Sequence, residues 1–113
     1  MITKIPNSFL YHGSVLYNAD SIESYGLVAK QDYVYMTDDI HVAQREGSKH
    51  GQPVTICIID AVEMYKDGFE FYYDNEEWVT KYVPSNYLVQ VQIENDNDFE
   101  LIEQFAKQLF GNR

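Results

Sequence analysis

Apolar residues recur along this chain with two periods, and the switches between them mark short strands and short helices. "NSFLYHGS" reads as a brief strand that ends in a turn at His12 and Gly13. "LYNADSIESYGL" sets Leu16, Ala19, Ile22 and Tyr25 along one side of a helix, stopped by Gly26; so narrow a stripe predicts a short, half-exposed helix. "DYVYMTDD" is a strand, after which Asp38 or Asp39 caps a second helix, "IHVAQREG", ending at Gly47. "SKHGQPV" is a loop, and "VTICIID" is a β-branched run of the kind buried on both faces. "AVEMYKDG" supplies one or two helical turns, "FEFYY" a strand, "DNEE" a turn and "WVTKYV" another strand. "NYLVQVQIE" alternates as a half-buried strand does. The closing segment, "NDNDFELIEQFAKQLFGNR", carries Phe99, Ile102, Phe105, Ala106, Leu109 and Phe110 at helical spacing behind a cap at Asp96, Asn97 or Asp98. Strands outnumber helices, so the expected class is α+β, a split antiparallel β-sheet with short helices and a C-terminal helix.

Composition narrows the picture. A chain of 113 residues buries roughly two-thirds of its unfolded surface, and residues 1–113 are expected to form a single domain without repeats or linkers. Ten tyrosines and six phenylalanines suit a β-rich core with a wet cleft. A net charge of −10 and the lack of any Lys/Arg run disfavour indiscriminate nucleic-acid binding, although a small anion held by a few local donors is allowed. Cys57 stands alone within "VTICII" and reads as a buried small hydrophobe in a reducing compartment. No secretory pattern opens the chain and no apolar run is long enough to span a bilayer, so the expected location is the cytoplasm, with no membrane partner.

The candidate chemistry sits at strand margins, at His12, Tyr35 and Glu77. Each also has a plain structural explanation, as a turn, a core aromatic and a solvated acid. His12, His41 and His50 match no metal-ligand spacing, so no metal is expected. Pairing Cys57 with His50 as a nucleophile fails because an apolar strand raises a thiol's pKa and hides it. Phosphate-loop and dinucleotide glycine patterns do not occur.

The motifs "FLYHGS", "YGLVA", "YVYMTDD", "GSKHGQPV", "IIDAVEMYKDGFEF" and "EEWVTKYVPSNYL" follow one another as in the NAD-binding lobe of the KptA-type RNA 2′-phosphotransferases. The resemblance runs from Phe9 to Leu88 and places the chain near the ADP-ribosyltransferase superfamily. It leaves 89–113, a strand and the C-terminal helix, unaccounted for. It implies an ADP-ribosyltransferase-like fold that grips NAD⁺, the substrate here rather than a resident cofactor. His12 would bond a ribose hydroxyl, the main chain of Gly13 would hold the carboxamide, and Ser14 stands where the family more often has Thr. An open glycine and an uncharged imidazole suit such contacts.

The departures shape the functional expectation. Only eight residues precede "FLYHGS", so the family's RNA-binding N-terminal lobe is expected to be missing and splicing-type phosphotransfer is disfavoured. Lys49 replaces the family's Arg before "HG", keeping charge but losing bidentate geometry. The pyrophosphate would fall to Lys49, with His50 and Arg45 as alternatives. Tyr35 takes the place of a second His and Glu77 that of an apolar residue before the Trp, so His12, Tyr35 and Glu77 resemble the H-Y-E triad of the diphtheria-toxin and poly-ADP-ribose polymerase branch. In that reading Glu77 stabilises the oxocarbenium-like ribose and Tyr35 stacks on nicotinamide. Asn75 stands where many protein-modifying relatives carry an acceptor-selecting Glu or Gln. The expected function is therefore transfer of ADP-ribose from NAD⁺ to an unidentified macromolecular or small-molecule acceptor with nicotinamide release, as in bacterial toxins or effectors. A stand-alone RNA 2′-phosphotransferase-like enzyme, an inactive NAD- or ADP-ribose-binding module and an interaction protein using the C-terminal helix against a protein partner are the alternatives.

Overall fold

The computed structural model describes residues 1–112; Arg113, the end of the predicted C-terminal segment, lies outside them. In chain order the elements are β1 Ile2–Thr3, β2 Leu10–Val15, α1 Ala19–Tyr25, β3 Leu27–Val28, β4 Val34–Met36, α2 Ile40–Ser48, β5 Val54–Ile59, α3 Ala61–Lys66, β6 Tyr72–Asp74, β7 Glu77–Thr80, β8 Tyr82–Val83, β9 Leu88–Gln92 and α4 Asp98–Phe110. Every named strand pairing is antiparallel. The strands form sheets in the orders β1-β6-β7-β4 and β2-β5-β9, with β3-β8 as a separate ribbon. This is the expected α+β class, with a split antiparallel sheet, short helices and a C-terminal helix. Among the described residues no helix is long and apolar enough to cross a membrane.

β5 is the spine. All six of its residues are buried, because its two faces serve different clusters. Cys57 and Ile59 pack with Leu10, Met36, Phe71 and Trp78 toward the larger sheet. Val54, Ile56 and Ile58 pack with Tyr11, Ile40, Ala43, Ile102 and Ala106, beneath α2 and α4. A continuous β-branched run fits a strand with no solvent face.

Several boundaries differ from those expected. "YHGS" does not end a strand: His12, Gly13 and Ser14 lie inside β2, opposite Cys57, Ile56 and Thr55. The glycine is needed for close approach rather than for a turn, since a Cβ on Gly13 would fall 1.7 Å from the Ala43 carbonyl oxygen. Gly47 does not stop α2 either. It sits inside the helix, where a Cβ would meet the Ser14 oxygen at 2.9 Å. "WVTKYV" divides into β7 and β8, which belong to different sheets, and the strand in "FEFYY" starts at Tyr72, with Phe71 turned into the core while its carbonyl accepts from Lys4 N at 3.0 Å. Of the α1 stripe only Ile22 is buried, and Leu16 precedes the helix in a 3-10 turn. Asp39 does cap α2, accepting from His41 N at 2.9 Å. Asp98 instead accepts from Glu94 N and Asn95 N, so it fastens the loop before α4.

Candidate functional site

The two larger sheets touch through one rung. Tyr11 N donates to Thr37 O at 2.7 Å and Thr37 N returns a bond to Tyr11 O at 2.9 Å. In an antiparallel ladder the next rung of this kind would join Gly13 to Tyr35. It does not form. Instead the His12 ring reaches across, and its Nδ1 lies 2.7 Å from Tyr35 O. Because a carbonyl only accepts, Nδ1 carries the proton, and in the neutral ring Nε2 is left as an acceptor.

That substitution frees the Gly13 backbone. Val54 O is taken by Ile93 N and Leu16 N by Pro53 O, so the register turns the N–H and C=O of Gly13 away from β5 and toward the same edge as those of Tyr11. Beyond the Tyr11–Thr37 rung that edge opens into a cleft of about 740 Å³, whose lining includes His12, Gly13, Ser14, Tyr35, Asn75 and Glu77. The volume falls in the range of small-molecule sites.

The other wall residues follow from register. Tyr35 pairs with Val79, and strand alternation puts Glu77 on the face of Val79, one diagonal step from Tyr35. Tyr35 is 54% exposed, so its ring is open to the cleft. Glu77 opens β7 directly after a two-residue turn in which Asn75 (φ 52°) and Glu76 (φ 67°) both adopt left-handed backbone, as a type I′ hairpin requires. The predicted turn "DNEE" is thus tighter than expected, and Asp74 and Glu77 pair across it.

Burial is the main force on His12, holding its pKa below the usual 6.5; the bond to Tyr35 O opposes this and nearby His50 reinforces it. His12 is therefore neutral near pH 7. His41 lies elsewhere, with its ring 4.6 Å from that of Phe99. Cys57 is fully buried behind His12 and its thiol is pushed up to about 12, which removes it as a nucleophile.

The predicted residues do not all meet. His12, Gly13, Ser14, Tyr35 and Glu77 share the cleft, with Asn75, Arg45 and His50 around them, but Lys49 is not part of its wall. Its ammonium is instead held by Glu46, at 3.0 and 3.2 Å from the two carboxylate oxygens. Lys49, expected to meet the pyrophosphate, thus lies outside the cleft wall and pairs with Glu46 on the exposed end of α2. Glu76 and Lys30 also line the cleft and escaped sequence reasoning. A Glu beside Asn75, where a hairpin of this kind favours Gly, was the available signal for the first. Nothing in the sequence pointed to the second.

The structure thus defines an α+β protein with a polar cleft where two antiparallel sheets separate. No family model matches the chain. It is similar to a probable RNA 2′-phosphotransferase of Pseudomonas syringae pv. tomato, with 37% identity over 92 residues, covering 80% of this chain and 49% of that protein. Proteins of the same name resemble it in Pectobacterium carotovorum (39% identity; 75% of this chain, 46% of that protein) and Streptomyces coelicolor (36%; 74% and 46%). The chain spans about half the length of the curated relatives it matches. Their shared name overturns the expectation of an enzyme passing ADP-ribose to an unidentified acceptor, and with it the toxin reading. The physical reason is that His12, Tyr35 and Glu77 were read as the grip on the nicotinamide end of NAD⁺, a task that different acceptors share, so they carry no information about the acceptor.

Proposed function

We propose that the chain binds NAD⁺ in this cleft as a substrate and uses it to remove a 2′-phosphate from RNA. The observation that carries this reading is the similarity, at 36 to 39% identity, to proteins that share one name, probable RNA 2′-phosphotransferase. The cleft supports it. Gly13 offers one donor and one acceptor side by side on an open edge, which is what a carboxamide complements. The acceptor Nε2 of His12 suits a ribose hydroxyl, the exposed Tyr35 ring gives nicotinamide an apolar face, and Glu77 provides negative charge where the ribose becomes cationic.

The chemistry balances without a further reactant. An oxygen of the RNA 2′-phosphate bonds to the ribose carbon as the bond to nicotinamide breaks. The adjacent ribose hydroxyl then attacks phosphorus and gives up its proton, and the departing RNA 2′-oxygen takes up a proton in its place. Nicotinamide, RNA with a free 2′-hydroxyl and ADP-ribose 1″,2″-cyclic phosphate result.

Incubation with NAD⁺ labelled in nicotinamide and an oligonucleotide bearing one internal 2′-phosphate tests this. Nicotinamide and the cyclic phosphate are expected in equal amounts, with Glu77→Gln slower on the order of a hundredfold. Nicotinamide release that leaves the oligonucleotide phosphate in place, or no turnover, would sink the proposal.

A further inference from the structure

Arg45 and Lys49 sit one turn apart at the C-terminal end of α2, and the fold sets them different tasks. The Lys49 ammonium pairs with Glu46 and Lys49 is not among the residues lining the cleft, whereas Arg45 is. Among the described residues no carboxylate lies within ion-pair distance of the Arg45 guanidinium. In a chain with eighteen acidic residues against eight basic ones, an exposed arginine beside a cavity with no carboxylate partner is a candidate anion contact. Its planar fork of donors matches paired oxygens on a tetrahedral anion better than an ammonium does. His50, in the turn after α2, and Lys30, from the loop before β4, line the same cleft.

We infer that Arg45, flanked by His50 and Lys30, grips a phosphate group in this cleft, and that Lys49 serves to neutralise Glu46 beside it. Glu46 also lines the cleft. Without Lys49 its carboxylate would repel the anion and compete for Arg45. Which phosphate is held rests on the proposed function: the pyrophosphate of NAD⁺ and the 2′-phosphate of RNA present the same oxygen chemistry. The grip itself does not depend on that reading.

Calorimetric titration of the whole chain with ADP-ribose, inorganic pyrophosphate and the 2′-phosphorylated oligonucleotide decides the matter. Arg45→Gln is expected to weaken binding roughly tenfold or more, since hydrogen bonds between charged groups are among the stronger ones. Arg45→Lys should recover only part. Lys49→Gln should weaken binding a few-fold, and adding Glu46→Gln to it should restore wild-type affinity. Because Arg45, Glu46 and Lys49 are exposed, melting temperatures should not move. A loss for ADP-ribose alone assigns Arg45 to the pyrophosphate, and a loss for the oligonucleotide alone assigns it to the 2′-phosphate. Unchanged affinity of Arg45→Gln for all three ligands overturns the inference. So does a double variant that stays as weak as Lys49→Gln, because Lys49 would then touch the anion. Binding of pyrophosphate through Arg45 without binding of ADP-ribose would refute the proposed function while leaving the grip intact, and a wild type that binds none of the three refutes both.

Discussion

His12 does two jobs with one ring. Its Nδ1–H occupies Tyr35 O at 2.7 Å, which keeps the sheets apart and leaves the Gly13 backbone open. The bond to Tyr35 O forms in either protonation state, but Nε2 is an acceptor only while the ring is neutral. Burial lowers its pKa from 6.5 more than the Tyr35 bond restores it. The unfolded chain therefore takes up this proton first as pH falls. His12 contributes stability that is fully present above its unfolded value of 6.5 and is lost as pH drops below that value toward its native one. Between about pH 7 and about pH 5, wild type should lose stability more steeply than His12→Gln, measured by urea unfolding across pH. Parallel profiles would show that the ring is not held neutral. At this scale the sequence named His12, Gly13, Ser14, Tyr35 and Glu77 as residues of one site. It did not reveal that Lys49 sits beside Glu46 and outside the cleft wall, because residue type shows a charge but not which neighbour it meets.

Among the elements, the β6–β7 hairpin positions Glu77. Its two-residue turn puts Glu76 at φ 67°, a region where a side chain is strained and glycine is not. Glu76→Gly should stabilise the protein by about 1 kcal/mol, the scale of one residue held in left-handed backbone. Thermal unfolding checks this, and an unchanged or lower melting temperature would mean that Glu76 makes a compensating contact. The turn was visible in "DNEE", but its register was not, since four polar residues permit several hairpin lengths. The break between β7 and β8 was invisible for a related reason. "WVTKYV" is one run of strand formers, and only the partners available on each side, β4 and β6 for β7 and β3 for β8, divide it at Lys81.

For the whole molecule, the question is what closes the far face of β5. α4 does so through Ile102, 3% exposed, and Ala106, which is fully buried against the cluster of Tyr11, Ile56 and Ile58. Ile102→Ala should cost about 2–4 kcal/mol, the usual range for truncating a packed aliphatic residue, as read by urea unfolding. A loss well under 1 kcal/mol would mean that α4 is not integral to the core. The same helix leaves Leu101 61% exposed, so its apolar stripe is wider than its buried face. Hydrophobic periodicity determined the class of the fold, most of its elements and the strand that would be buried on both sides, because those depend on local alternation that any partner must satisfy. Tertiary structure alone decided that "YHGS" continues as strand, that two sheets meet at a single rung and then part, and that Arg45 rather than Lys49 faces the opening. Each depends on which backbone or charge arrives from a distant segment, and no local pattern records that arrival.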